Sequence, residues 1–444
     1  MSLPVYLLTI PGLRRKDLSS MPNLSAMGQG GAAALSHSFP AVTWPAQASL
    51  LTGKTASEHG VVANGFFWRD SHKVEMWTAW NEVIQQPQIW DLLRQRAPDL
   101  KSAAWFPMLS KGCNADYVCM PAPIHQPDGS EDLWCYTKPQ EFYGDLLEKF
   151  DHFPLKHFWG PLANIKSSQW IADSAIAAAE KFQPDFFYIY LPHLDYAAQK
   201  FGPDSDQALS AVREIDDLIG NFQQQATAAN QGPIHWLVAS EYVISPVDHV
   251  SFPNRLLREA GLLQVKRHDD GEHLDLENSQ AWALVDHQFS HVFVKDRDAA
   301  IIAQVKQIFA DADGIDQVLA GSDRATLNLD HERSGDVVLA STANSWQAYY
   351  WWLEDDHAPG FASTVDIHRK PGYDPVELFF DFETKSVPLD TTLIKGSHGL
   401  IPKNSADLQG VFLSSEAMPT AGDQLSDLDI CGLVLDLLAP NASS

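Results

Sequence analysis

Cysteine is scarce in this chain: Cys113, Cys119, Cys135 and Cys431 are the whole complement of 444 residues. No two stand in a C-x-x-C pattern, which argues against a zinc knuckle or redox dithiol. The count is also too low for a secreted disulfide scaffold. Three of the four fall between residues 113 and 135, where a disulfide is conceivable, but the sequence favours reduced thiols in a cytosolic protein. Long hydrophobic runs are missing too. None reaches the roughly 20 apolar residues that span a bilayer. The apolar run near the N-terminus stops at Pro11 with no basic region before it, so it does not read as a signal peptide. Basic residues are outnumbered, 31 against 57 acidic, for a formal net charge of −26. That charge opposes binding to DNA, RNA or anionic membranes, which need a basic face. Phosphate groups could still bind where a helix N-terminus or metal supplies local positive potential; the simpler role of the acidity is solubility. There is no internal repeat and no low-complexity tract.

What is present is apolar and aromatic. Hydrophobic residues make up 45%, with 14 Trp and 22 Phe, enough for a large core and an aromatic-lined pocket. The length exceeds a single ordinary core, so one large domain with an inserted subdomain, or two domains, is expected. Val5 to Ile10 reads as a buried parallel strand closed by Pro11-Gly12. Met21 opens a short helix ending at Gly28 to Gly31, and Ala32 to Ser38 reads as a second strand. Helices are expected from Pro45, over Ile89 to Arg96, Ser167 to Phe182 and Asp206 to Ala226. Strands are expected at Ser102 to Phe106, Asp185 to Leu191 and Ile234 to Ala239. This alternation implies a doubly wound α/β fold with a mainly parallel sheet. The expected organisation is a core over 1–264 with an irregular excursion at about 107–160, an inserted α+β subdomain over 265–385, and a return to the core over 386–444. The main sheet is expected to resume near Ser386 to His398.

The segment Phe39 to Lys54 reads FPAVTWPAQASLLTGK. Thr43 sits between an apolar strand and the helix that Pro45 begins, a position Pro suits because its missing N–H would be unpaired there. A hydroxyl there meets free N–H groups and a dipole that favours an anion. To attack phosphorus it needs activation by a metal or an adjacent base. Downstream, Asn64 supplies an amide that could donate to a phosphoryl oxygen. The alternative is that Thr43 is an ordinary N-cap; spacing alone does not decide.

The block FPAVTWPAQASLLTGKTASEHGVVANG resembles the nucleophile signature of the alkaline phosphatase superfamily, in its nucleotide pyrophosphatase/phosphodiesterase branch. Met21-Pro22-Asn23-Leu24, LDYAAQKFGPDS at 194–205, NRLLREAGLL at 254–263 and GSHG at 396–399 extend the similarity over most of the chain. The resemblance implies an alkaline-phosphatase-like core, Thr43 as nucleophile, Asn64 as its oxyanion partner, and two zinc ions. Lys54, at the end of the segment, is counted with the candidate substrate-binding residues.

The implied metal ligands are only partly retained. Pro11 stands where the family has a ligand Asp. Asp195 keeps its carboxylate, but Gln199 replaces the His four residues later. Glu241 and Tyr242 replace the Asp-His of the turn after strand Ile234 to Ala239. His398 keeps the last ligand. The expectation is therefore no metal, or at most one divalent ion (zinc) held by Asp195 and His398, with His193 as a substitute ligand. Glu241 could then serve as a base and Tyr242 as a proton donor. Three readings stand together: an enzyme acting on a phosphoester or pyrophosphate with an altered metal site, a metal-independent enzyme using Thr43 with Glu241 and Tyr242, and a catalytically inactive binding or scaffold protein. The expected partner is a small phosphorylated or nucleotide-like molecule, with no nucleic-acid polymer and no membrane insertion.

His193, at a strand end, either faces the site or does not. Arg369 and Lys370, in the Asp366 to Pro375 segment, either bind an anionic substrate or sit in a turn, with Arg369 paired to Asp366. His287 and His291 are spaced for a metal if helical, but the strand-like HVFVK favours a turn between them. Tyr349 to Trp352 reads as core or subdomain contact, with a base-stacking platform as the alternative.

Overall fold

The computed structural model describes residues 3–125, 131–401, 405–418 and 424–440. Parts of the expected 107–160 excursion and of the 386–444 return lie outside these. Val5–Ile10 is hydrogen-bonded in parallel to Phe186–Tyr190 on one side and His235–Ser240 on the other. Flanked on both edges and covered on both faces, it is fully buried, which is why it is apolar throughout rather than alternating. Around it lies a nine-stranded sheet in the order Gln424–Ser426, Gly31–Ser36, Gly410–Ser414, His235–Ser240, Val5–Ile10, Phe186–Tyr190, Ser102–Trp105, Tyr117–Pro121, Cys135–Lys138. Its central pairings are parallel. Gly410–Ser414 runs antiparallel to both its neighbours, and Cys135–Lys138 is an antiparallel edge strand. Helices Ile165–Phe182 and Asp206–Ala229 each bury an apolar stripe. This is the expected mixed α/β fold with a large, mainly parallel sheet.

One expectation is corrected. The chain re-enters the main sheet at Gly410–Ser414, not at 386–398, where only Gly396–Ser397 is a strand and it pairs with Ser245–Pro246. The apolar run Val411 to Leu413 supplies the buried strand instead. A separate four-stranded antiparallel sheet is built from Ala281–Asp286, Phe289–Val294, Val337–Ser341 and Ile315–Ala320, with its own apolar cluster that takes in Tyr349 to Trp352. Its first two strands form a hairpin whose turn is His287-Gln288, with His287 in the left-handed region at φ 57°. His287 and His291 therefore lie across a turn, not along a helix.

All four cysteines are buried and free. Among the described residues, no helix is long and apolar enough to cross a membrane.

Candidate active site

Three strands of the main sheet end close together. Ile10 leads into Pro11-Gly12, Tyr190 into Leu191-Pro192, and Ser240 into Glu241-Tyr242. In open α/β sheets, ligands gather at this carboxyl edge. Thr43 follows strand Gly31–Ser36, which Gly410–Ser414 separates from His235–Ser240 in the sheet. The helix Thr43–Thr52 begins at Thr43 itself, two residues before Pro45, and its N-cap is Val42, with no capping side chain. The Thr43 hydroxyl is thus not consumed as a cap. It lies 3.2 Å from the Tyr242 hydroxyl, which in turn donates to Asp195 Oδ1 at 3.3 Å.

His398 completes this row. Its Nδ1 lies 2.9 Å from the carbonyl of Ala41. A carbonyl can only accept, so Nδ1 carries the proton and Nε2 is left as an acceptor, 3.8 Å from Asp195 Oδ1. The imidazole stacks on the Tyr242 ring at 3.9 Å and on the other side meets His287 at 3.8 Å. Burial, with His287 beside it, holds the His398 pKa well below the usual histidine value, so both rings are neutral.

Two buried carboxyls carry raised pKa values. Burial pushes Asp195 up to about 7, opposed by the Gln199 amide and the Tyr242 hydroxyl that face it. Burial pushes Glu241 up to about 8, opposed by hydrogen bonds from Thr9, Gln47 and Tyr188. Gln47 Nε2 donates to both Glu241 oxygens, at 3.0 and 3.3 Å, and is oriented by Met108 N–H donating to Gln47 Oε1 at 2.7 Å. Tyr188 donates at 3.2 Å. These partners are all neutral. Gln199 accepts from the Tyr373 hydroxyl at 2.8 Å, and its buried Nε2 makes no hydrogen bond of normal geometry.

Asn64 is fully buried behind Thr43. Its Oδ1 accepts from Trp44 N–H at 3.1 Å, fixing the first turn of the Thr43–Thr52 helix. Its Nδ2 donates to Asp286 Oδ1 at 3.1 Å, and its backbone N–H donates to Asp286 Oδ2 at 2.8 Å. Asp286 also accepts from His287 Nδ1 at 2.6 Å, which leaves Nε2 of His287 as an acceptor. Burial raises Asp286 to about 6.

Thr43, Asp195, His287 and His398 line a cavity of about 230 Å³ whose walls are largely Trp44, Trp77, Phe158, Trp159 and Tyr190. Lys111 lines it as well, held over the Trp80 ring at 4.4 Å. The structure thus brings together Thr43, Asp195, Tyr242 and His398, with Asn64 and Glu241 immediately behind.

The other candidates lie elsewhere. Lys54, at the far end of the Thr43–Thr52 helix, is exposed and pairs with Glu58 at 3.0 Å. His193 turns away to Glu214 at 3.0 Å. Arg369 pairs with Asp366 on the surface. Lys370 is buried between Asp374, at 2.8 Å, and Glu377, at 2.6 Å. None of these four lines the cavity. Gln47, Tyr188, Tyr373 and Asp286 were not singled out from the sequence. The one signal was Asp286-His287 ending an apolar run at a hairpin. Among the described residues, no group of three or more His, Cys, Asp or Glu side chains is arranged to hold a metal ion.

Against known proteins, residues 5–374 match the model of the type I phosphodiesterase / nucleotide pyrophosphatase family. An uncharacterized pyrophosphatase/phosphodiesterase of Schizosaccharomyces pombe is 24% identical over 227 residues, which is 49% of this chain and 40% of the yeast protein, so the match spans less than half of that relative's length. Among solved structures, murine ectonucleotide pyrophosphatase / phosphodiesterase 5 superposes with a TM-score of 0.62 at 15% identity, covering 99% of this chain and 96% of that one. An inactive form of the murine protein was solved in complex with AMP. Phosphonoacetate hydrolase from Sinorhizobium meliloti 1021, in complex with phosphonoformate, gives the same TM-score, identity and coverage. At this identity the two structures establish the fold.

Proposed function

The chain belongs to the type I phosphodiesterase / nucleotide pyrophosphatase family, and from that membership we propose that it acts on a small phosphoester or pyrophosphate, with Thr43 as nucleophile and without a pair of metal ions. The observation that carries this reading is the row Thr43 Oγ1, Tyr242 Oη, Asp195 Oδ1, at 3.2 and 3.3 Å.

The donor set does not fit the two metals that the resemblance implies. Pro11 has no ligand atom. The Tyr242 phenol, hydrogen-bonded to both Thr43 and Asp195, stands where the resemblance implies a ligand imidazole. Gln199 has its carbonyl oxygen engaged by Tyr373. Glu241 is saturated by neutral donors and holds its proton up to about pH 8. No step is therefore routed through a metal.

Chemistry follows from the row itself. Thr43 Oγ attacks phosphorus as the bond to the leaving oxygen breaks. Its proton moves to Tyr242 Oη while the Tyr242 proton moves to Asp195. With a pKa of about 7, Asp195 is matched to a general base near neutral pH. The leaving oxygen, opposite Thr43, departs as its anion and takes a proton from solvent, while Asp195 keeps the proton that came from Thr43. Water then displaces the threonyl oxygen, which regains its proton through Tyr242. Lys111 and the N-terminus of the Thr43–Thr52 helix supply positive potential for the phosphoryl oxygens.

A second reading, binding without turnover, draws on the neutral surroundings of Glu241, which leave the site few charges to stabilise a transition state. Hydrolysis of bis(p-nitrophenyl) phosphate by chelator-treated protein separates the two. Turnover abolished in Thr43→Ala supports the first reading; no turnover by the wild-type chain leaves only the second.

A further inference from the structure

Two hairpins that meet the catalytic cavity also reach a separate one. Gly65–Trp68 with Lys73–Met76 begins at Asn64 and returns to Trp77, whose N–H donates to the Asn64 carbonyl at 3.2 Å. Ala281–Asp286 with Phe289–Val294 turns at His287. The opposite ends of these hairpins frame a cavity of about 310 Å³ that has no lining residue in common with the catalytic one. Its charge runs against that of the chain. Arg69, Lys295 and Arg297 line it, in a molecule of formal charge −26. Asp296 is the one carboxylate in the lining. Asp336 lies outside the lining, 2.8 Å from Arg69 Nη2 and 3.8 Å from Arg297 Nε. Lys295 Nζ donates to the Glu277 carbonyl at 2.9 Å, a neutral partner that leaves its charge uncancelled. Three cations against two carboxylates leave the balance positive.

Arg69 is the informative residue. Nη1 donates to the Val294 carbonyl at 3.2 Å and Nη2 to Asp336 at 2.8 Å, and the guanidinium carbon lies over the Phe293 ring, 5.0 Å from its centroid. These contacts fix the group, yet Nε is buried and has no hydrogen-bond partner. An N–H that has lost its water without gaining an acceptor is costly, and an acceptor oxygen arriving from the cavity would remove that cost. The walls beside it are apolar: Trp282 stacks on Phe293 at 5.5 Å, and Phe67 packs edge-on to both. Charges against such walls act through a lower effective dielectric than in open water, so an anion is held more strongly here than at an exposed lysine. At the rim, Asp296 and Arg297 both sit at φ 53°, a left-handed conformation rare outside glycine. One acceptor oxygen satisfies Arg69 Nε, and the Lys295 ammonium and Arg297 guanidinium call for two more. A phosphoryl group, with three acceptor oxygens and a charge near −2, meets all three.

We propose that this cavity is a second binding site, separate from the catalytic one, for a phosphoryl dianion: inorganic phosphate or a phosphate monoester. The site stands apart from the Thr43 reading, and its readout is binding, which needs no turnover.

The test is calorimetric titration of the full chain with inorganic phosphate and, separately, with ethyl phosphate. Lys111→Ala removes the cation of the catalytic cavity and should still bind one phosphoryl ligand per chain, with affinity within about twofold of the wild type. Lys295→Ala combined with Arg297→Ala should weaken that binding at least about tenfold, the loss expected for charge-assisted contacts. Arg69→Lys keeps the charge but has no Nε–H, and should weaken it by about tenfold as well. Because Arg69→Lys could loosen Asp336, its melting temperature is measured alongside, and the Lys295→Ala/Arg297→Ala comparison stands independently. The tighter of the two ligands names the source of the phosphoryl group. No binding of either ligand by the wild-type chain, binding lost in Lys111→Ala but kept in Lys295→Ala/Arg297→Ala, or wild-type affinity in Arg69→Lys would each overturn the proposal. An inert Thr43 leaves the binding measurable, and a failed second site leaves the Thr43 reading intact.

Discussion

The phenol of Tyr242 lies flat on the imidazole of His398, ring centroids 3.9 Å apart and planes 5° from parallel. The stack fixes the phenol so that its hydroxyl falls between Thr43 and Asp195. It also lets the packing of the ring be separated from the proton relay proposed for the oxygen.

Tyr242→Phe keeps the stack and removes the relay. Turnover is expected to fall about 100- to 1,000-fold, within the range for loss of a positioned proton-transfer group, with KM little changed. Circular dichroism and melting temperature should match the wild-type chain. Steady-state kinetics with a p-nitrophenyl ester checks this; an unchanged kcat would remove Tyr242 from the path.

Burial pushes Asp195, the proposed base, up to about 7. The relay requires Asp195 ionised, so kcat/KM should rise with pH and level off above about 7, the limb reporting the free enzyme's base. In Asp195→Asn that limb should disappear along with most of the activity. A rate that falls as pH rises through the same range would contradict the assignment.

Stability has its own pH dependence. Asp195, Glu241 and Asp286 hold their protons in the folded chain up to about 7, 8 and 6, whereas the unfolded chain releases them near about 4. The folded state therefore binds more protons, and the stability present below about pH 4 is lost as pH rises through these values. His59, His287 and His291, lowered to about 3, 3 and 4, act oppositely, but only below about 6.5, above which they are neutral in both states. Between about pH 6.5 and 8.5 the carboxyls alone act, and stability should fall by up to about 1.4 kcal/mol per pH unit for each one that ionises only when unfolded. Glu241→Gln, which keeps the shape and cannot ionise, should flatten the decline. Urea midpoints measured across this range test it, and a midpoint that climbs with pH would refute it.

Metal dependence gives a fourth test. Added Zn²⁺ should leave the melting temperature of the wild-type chain essentially unchanged, since a ligand stabilises only what it binds. The combined variant Pro11→Asp, Gln199→His, Glu241→Asp and Tyr242→His restores the ligand types that the family resemblance implies, and should retain zinc through gel filtration. Stoichiometric zinc on the wild-type chain, measured by atomic emission, would contradict the metal-free reading.

Much of this site was legible because its parts are local. Thr43 and the start of its helix follow from one contiguous block, and Asp195, Tyr242 and His398 each follow a recognisable strand or turn. Asp286 and Tyr373 were not, because they reach the cavity through pairings remote in sequence. Tyr373 N–H donates to the Val285 carbonyl at 3.1 Å, drawing one segment against the other. Lys54, Arg369 and Lys370 stand out as charges and His193 by its place at a strand end, but sequence does not show the partner of any of them. Each is engaged by a carboxylate of its own. Gly410–Ser414 was missed as the returning strand because five residues carry too little pattern to stand out against the apolar runs before them.

In the proposed reaction Thr43 becomes covalently phosphorylated without a metal pair. Chelator-treated protein mixed with a p-nitrophenyl phosphoester, quenched in acid and digested, tests this directly by mass spectrometry of the peptide containing Thr43. A phosphoryl adduct is expected on Thr43, absent from Thr43→Ala and sharply reduced in Tyr242→Phe. Product formation with no adduct on Thr43, or an adduct seen only after zinc is restored, would contradict it.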